Sequence, residues 1–97
     1  MLTSKQKRHL KALGSMLDPV VQIGKAGLVE TVITSAADAL KARELIKARV
    51  LRNCPEEPKE AFAILAEETD AELVQVIGRN ALLFKRNDEK PKIELPS

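Results

Sequence analysis

Apolar residues recur along this chain in two rhythms, one of three to four positions and one of two, and the switches between them set the order of elements. Leu10, Leu13 and Leu17 lie three to four apart behind Thr3-Ser4-Lys5-Gln6. That tetrad fits a capping box with Thr3 as N-cap, which predicts a first helix from Thr3 to about Ser15 with its leucines facing the core. Gly14 suits the helix's last turn, and Asp18-Pro19 ends it. Val20 to Ile23 is a short apolar run with strand character. Val29, Val32, Ile33, Ala36 and Leu40 then form one helical stripe, predicting a second helix from about Leu28 to Ala42. From Glu44 to Leu51 the rhythm is two: Ile46, Ala48 and Val50 share one face, and Lys47, Arg49 and Leu51 the other. A proline- and glutamate-rich turn, Asn53 to Pro58, leads into a third helix that reaches Thr69, with Ala61, Phe62, Leu65 and Ala66 as its stripe. Two further strands, Glu72 to Ile77 and Ala81 to Arg86, flank the turn Gly78-Arg79-Asn80. The run Leu82-Leu83-Phe84 points to a central, well-buried strand. Asn87 to Ser97 is a polar tail in which Ile93 and Leu95 are the residues able to dock.

The order α-β-α-β-α-β-β contains two strand-helix-strand units, which imply right-handed crossovers and parallel pairing, and a final hairpin that adds an antiparallel strand. The expected fold is α/β: a two-layer sandwich with a four-stranded mixed sheet, helices mainly on one face and the other face partly open. Ninety-seven residues make one small domain, 1–97, with 87–97 as its tail. No apolar run approaches the ~20 residues of a membrane span, and the basic N-terminus leads into no signal-like apolar segment. The one cysteine, Cys54, permits no internal disulfide and fits a reducing cytoplasm. A monomer is expected, since nothing in the pattern demands a dimer.

Charge changes the picture. The net charge is +2, yet residues 1–52 carry ten Lys/Arg and four Asp/Glu, whereas residues 53–97 carry six and ten. The basic half contains Gly24-Lys25-Ala26-Gly27, between a predicted strand and a predicted helix. Such a turn lets backbone N–H groups approach a phosphate with no Cβ in the way, and the helix start adds unpaired donors and partial positive charge. Lys25 adds a full charge. The coincidence favours an anionic polymer as partner over a merely solvated surface. On this reading Gly27 serves the ligand, so Gly27→Val is expected to leave the fold largely intact. The acids Glu56, Glu57, Glu60, Glu67 and Glu68 of the third-helix region are expected to turn away from the loop.

The motifs Leu2-Thr3-Ser4-Lys5-Gln6-Lys7, Pro19-Val20-Val21-Gln22-Ile23-Gly24-Lys25-Ala26-Gly27-Leu28, Glu44-Leu45-Ile46-Lys47-Ala48-Arg49-Val50, Val74-Gln75-Val76-Ile77-Gly78-Arg79, Leu83-Phe84-Lys85-Arg86 and Ile93-Glu94-Leu95-Pro96 span nearly the whole chain. Together they resemble the CRM-domain family (chloroplast RNA splicing and ribosome maturation), in particular its stand-alone bacterial YhbY-type members. The resemblance implies a fold similar to the C-terminal domain of the third bacterial translation initiation factor. It also implies a Gly-x-x-Gly loop likened to that of KH domains, and RNA binding to ribosomal RNA or large-subunit precursors during ribosome assembly. Carried over by position, the RNA-binding residues are Gly24, Lys25, Ala26 and Gly27 with Lys5, Lys11 and Lys47; Arg49 joins them through the alternation of its strand. One departure is Phe84, where the family often has tyrosine.

With no Trp or Tyr and two Phe, the chain lacks the stacking surfaces of an RNA-recognition motif or an OB-fold, and Phe62 and Phe84 are expected in the core. Binding should then lean on phosphates, shape and 2′-hydroxyls. His9 sits among lysines without partners for a metal or catalytic role, and Cys54 has no nearby base. No nucleophile, base and orienter stand together, so the expectation is a non-enzyme without cofactor or metal. The competing expectation is an adaptor whose acidic third helix grips a basic ribosomal or assembly protein.

Overall fold

A computed structural model describes residues 2–97. Its elements follow the predicted order: α1 (Ser4–Gly14), β1 (Pro19–Ile23), α2 (Glu30–Arg43), β2 (Leu45–Val50), α3 (Pro58–Thr69), β3 (Glu72–Ile77) and β4 (Asn80–Phe84). The capping box forms as expected. The Thr3 hydroxyl accepts the Gln6 N–H at 3.1 Å, and the Gln6 side chain accepts the Thr3 N–H at 3.0 Å.

The four strands form one mixed sheet in the order β1-β2-β4-β3. β1 and β2 pair parallel, while β4 pairs antiparallel with both β2 and β3. The apolar run of β4 earns its central place: Ala81, Leu82, Leu83 and Phe84 are all buried. Because β4 lies between β2 and β3, the β3–β4 turn comes back to the end of β2, where the Val50 N–H donates to the Arg79 carbonyl at 2.8 Å.

The helices lie mainly on one face. α2 and α3 pack Ala36, Leu40, Ala61, Phe62, Leu65 and Ala66 against Val21, Ile23, Ile46, Ala48, Val50, Ala81 and Leu83. α1 lies on the second face, where Leu10 meets Leu45, Val74, Leu82 and Phe84. Phe62 and Phe84 are both core residues, as expected. Leu13 is not; it is 41% exposed. The reason is the roll of α1, which turns Leu10 and Gly14 onto the sheet. A Cβ at Gly14 would stand 2.4 Å from Leu82 Cδ1, so glycine there permits close contact of helix and strand rather than a left-handed cap.

The largest difference from the sequence expectation is Glu44. It does not open β2 as a strand residue; it is the single residue between α2 and β2, with φ +64 and no solvent exposure. Its N–H closes α2 by donating to the Leu40 carbonyl at 2.7 Å, and its carbonyl accepts the Lys85 N–H at 2.9 Å. Its carboxylate accepts N–H groups from Asn87 (2.6 Å), Lys92 (2.6 Å) and Ile93 (2.7 Å). These bonds hold the C-terminal segment against the second face, where Ile93 and Leu95 pack on the Leu10 cluster. Gln6 Nε2 adds a bond to the Pro96 carbonyl at 3.1 Å.

Burial by itself would raise the pKa of Glu44. The N–H groups of Asn87, Ile93 and Lys92 and the charge of Arg86 outweigh it and hold the carboxyl below its ordinary 4.5. A pKa lower in the folded than in the unfolded chain means that the unfolded chain binds the extra proton first. The stability Glu44 contributes is therefore full above 4.5 and is lost as pH falls through the folded-state value. Glu44→Ala should cost about 2–3 kcal/mol at pH 7, because three part-buried N–H groups lose a charged acceptor. Urea unfolding as a function of pH checks this: the variant's loss relative to the parent should shrink as the solution is acidified below pH 4.5.

Candidate nucleic-acid interface

The parallel ladder brings the loop after β1 beside the chain leaving β2. The Leu51 N–H donates to the Ile23 carbonyl at 2.8 Å, directly before Gly24. The loop is then folded on itself by two short bonds, Gly27 N–H to the Gly24 carbonyl at 2.9 Å and Val29 N–H to the Gly27 carbonyl at 3.0 Å. Lys25 and Ala26 form its exposed tip. Among the described residues, the backbone amides of these two make no hydrogen bond. Val29 caps α2 with no side-chain bond, so the first turn of α2 keeps unpaired donors next to the same tip.

The two glycines differ in kind. Gly27 is buried at φ +74, a backbone that side chains rarely adopt, and a Cβ on it would stand 2.8 Å from Glu56 Oε1 and 2.9 Å from Oε2. The positive φ makes any side chain at 27 strained, while the Glu56 carboxylate ends a flexible side chain that can shift, so Gly27→Val is expected to carry a stability cost in addition to its effect on the loop. Gly24 has no such φ, and its Cβ would meet only Leu51 at 3.6 Å and Asn53 at 3.9 Å, ordinary contacts. Among the described residues, nothing demands glycine at 24.

Glu56 corrects a second expectation. It lies ahead of α3, half-buried, and its carboxylate accepts the Leu28 N–H at 3.2 Å. One acid of the third-helix region therefore turns into the loop rather than away from it. Of the remaining acids, Glu57 is the exposed N-cap of α3, and Glu60, Glu67 and Glu68 are exposed on α3, a helix packed on the face opposite α1. The carboxylate of Glu56 sits behind the loop, so it fastens the backbone at Leu28 while leaving the Lys25–Ala26 tip uncovered.

The basic residues named from sequence divide by position. Lys25 and Arg49 lie at the end of the sheet that carries the loop, Arg49 opposite Gln22 on one side and Asn80 on the other. Lys47 lies one alternation further down β2, opposite Leu82. Lys11 belongs to the last turn of α1, on the same second face. Lys5 is at the start of α1, beside Gln6 and the C-terminal segment, at the end of the sheet remote from the loop. His9 lines a shallow hollow with Leu13 and residues 92–97. Cys54 is half-buried against the core, and among the described residues no three His, Cys, Asp or Glu side chains are grouped to hold a metal.

The sequence and this geometry can be set beside known proteins. Residues 2–85 match the CRS1/YhbY (CRM) domain. The chain belongs to the CRM-domain family. It is 44% identical over 96 residues to the probable RNA-binding protein YqeI of Bacillus subtilis, covering 99% of this chain and 100% of that protein. It is 40% identical over 95 residues to an RNA-binding protein of Haemophilus influenzae, covering 98% and 95% of the two chains. The solution structure of the protein SAV1595 of Staphylococcus aureus, described as a candidate RNA-binding protein, superposes with a TM-score of 0.82 at 47% identity, over 99% of this chain and 100% of that one.

Within this CRM domain the fold adds two cations to the loop end that the sequence pattern did not single out. Arg79, in the β3–β4 turn, donates from Nη1 to the Leu51 carbonyl at 3.3 Å, and Arg52 follows Leu51 in the chain. No periodicity could have grouped Arg79 with Lys25; only the strand order does. The glycine asymmetry gives a stability test. Gly24→Ala should change unfolding free energy by no more than about 0.5 kcal/mol, whereas Gly27→Val should cost about 1–3 kcal/mol. Chemical unfolding of the two variants measures both.

Proposed function

We propose that this CRM domain, residues 1–97 with the docked tail included, is an RNA-binding protein that acts on ribosomal RNA or large-subunit precursors during ribosome assembly. The observation that carries the reading is the Lys25–Ala26 tip: two exposed backbone amides without internal partners, held between glycines, one of which the fold does not require. Two N–H donors and an ammonium side by side suit a phosphate, and the neighbouring α2 start adds to the field. The naming of the relatives as RNA-binding proteins supports the same reading.

On this reading Gly24, Lys25, Ala26 and Gly27 grip the backbone of the RNA, and Arg49, Lys47 and Lys11 extend the contact along the second face. Lys5, at the far end, serves a long RNA rather than the site at the loop. Glu56 is a support of the loop and not a ligand for RNA. The protein works as a binding module in the cytoplasm, as a monomer, without cofactor, metal or catalysis. Ribosomal proteins are secondary partners, met through the exposed acids of α3.

Lys25→Glu should weaken binding to structured ribosomal RNA and to other RNAs by a similar factor, because a phosphate contact carries no sequence information. It should also flatten the plot of log affinity against log salt by about one unit. Gly24→Ala should weaken RNA binding while the fold persists. A joint Glu60→Lys and Glu67→Lys variant should bind RNA no more weakly than the parent. RNA titrations across salt concentration, with co-sedimentation of each variant on large-subunit precursors, check all three. An adaptor would give the reverse ranking, with Lys25→Glu neutral and the α3 variant lost from the precursor fraction.

A further inference from the structure

The second face of the sheet is only half covered. α1 stops at Gly14, over Leu82, and the C-terminal segment covers the opposite end. Between the end of α1 and the β3–β4 hairpin a cleft of about 200 Å³ remains, lined by Ser15, Lys47, Gln75, Ile77, Asn80 and Leu82. Among the described residues, no carboxylate lines it.

Three features set this cleft apart from a packing gap. The first is a bulge in β3. Leu73 pairs with Leu83 and Gln75 with Leu82, so Val74 is an extra residue. The irregularity sends Val74 and Gln75 to the same face: Val74 into the Leu10 cluster, Gln75 into the cleft. Regular alternation would have pointed Gln75 at the helices. The second is that the side-chain amides of Gln75 and Asn80, both half-buried, bond to no other group among the described residues. The third is Ile77, an aliphatic wall 63% exposed at the cleft's edge. Cations flank all three, since Lys47 lines the cleft and Arg49 pairs with Asn80 in the ladder.

We infer that this cleft receives one unpaired nucleobase of a single-stranded RNA segment, read at its edge by the amides of Gln75 and Asn80. An amide offers a donor and an acceptor side by side, the pattern that matches a base edge, whereas a phosphate needs only donors. Leu82 and Ile77 supply apolar contact to the base faces in a chain whose two aromatic side chains, Phe62 and Phe84, are buried, and Lys47 and Arg49 meet the flanking phosphates. A duplex cannot use the site, because its bases are already paired and stacked. The inference rests on the RNA-binding reading and adds to it a preference for unpaired RNA with a location separate from the loop.

The test compares a short single-stranded RNA with a blunt duplex of the same length. In the parent protein, amide resonances of Gln75, Ile77 and Asn80 should shift on adding the single strand and stay in place on adding the duplex. Gln75→Ala combined with Asn80→Ala should weaken single-strand affinity about tenfold and leave duplex affinity within about twofold. Ile77→Ala, at a largely exposed position, should weaken the same binding without a change in unfolding midpoint. Equal losses on both RNAs, or shifts confined to Gly24–Gly27, would overturn the cleft assignment and leave the loop reading standing. A parent protein that binds neither RNA would overturn both.

Discussion

A buried carboxylate with three backbone N–H groups around it is the joint on which this small domain turns. Glu44 caps α2, joins it to β2 and receives the C-terminal segment, all with one residue's backbone and side chain. A buried charge is costly unless hydrogen bonds surround it, and here the chain supplies them from the segment that most needs an anchor. With that segment in place, Ile93 and Leu95 complete the cover over Leu10, Leu45, Val74 and Phe84. The second face then has a closed, structural half and an open half, and the open half is the one that carries Lys47, Arg49, Gln75 and Asn80.

The same division runs along the strands. At one end lie Leu45, Glu72 and Phe84 with the docked tail; at the other lie Ile23, Val50, Ile77 and Asn80 with every loop of the proposed interface. Inserting β4 between β2 and β3 is what joins Arg79 to the loop end, because the hairpin must return beside Val50. An order with β3 next to β2 would have left Arg79 elsewhere on the same sequence.

Electrostatically, the loop is a compromise. Glu56 fixes the Leu28 N–H from behind and occupies the space that a Gly27 side chain would need. Its negative charge lowers the local potential, yet it also braces the loop at Leu28, just behind the tip. The exposed acids of α3 lie on the other face of the sheet from Lys47 and Arg49.

The sequence by itself determined the element order, the capping box at Thr3, the burial of β4, the turn at Gly24–Gly27 and the split of charge. All of these are local, or depend on periodicities of two and three to four residues, which side-chain geometry converts directly into faces. Family membership was legible for the same reason, in motifs that are contiguous strings. What only the tertiary structure decided concerns partners distant in the chain. Glu44 looked like the first residue of a strand because its acceptors' partners lie more than forty residues later. Glu56 looked like a solvated helix acid because nothing nearby in sequence marks Leu28 and Gly27 as its neighbours. Gly14 looked like a cap, although the reason for it is Leu82 on a strand it had not yet met. The bulge that turns Gln75 outward breaks the very periodicity from which faces are read. In each case the decisive contact is set by packing between elements, and packing is a property of the assembled sheet and helices rather than of any segment of the chain.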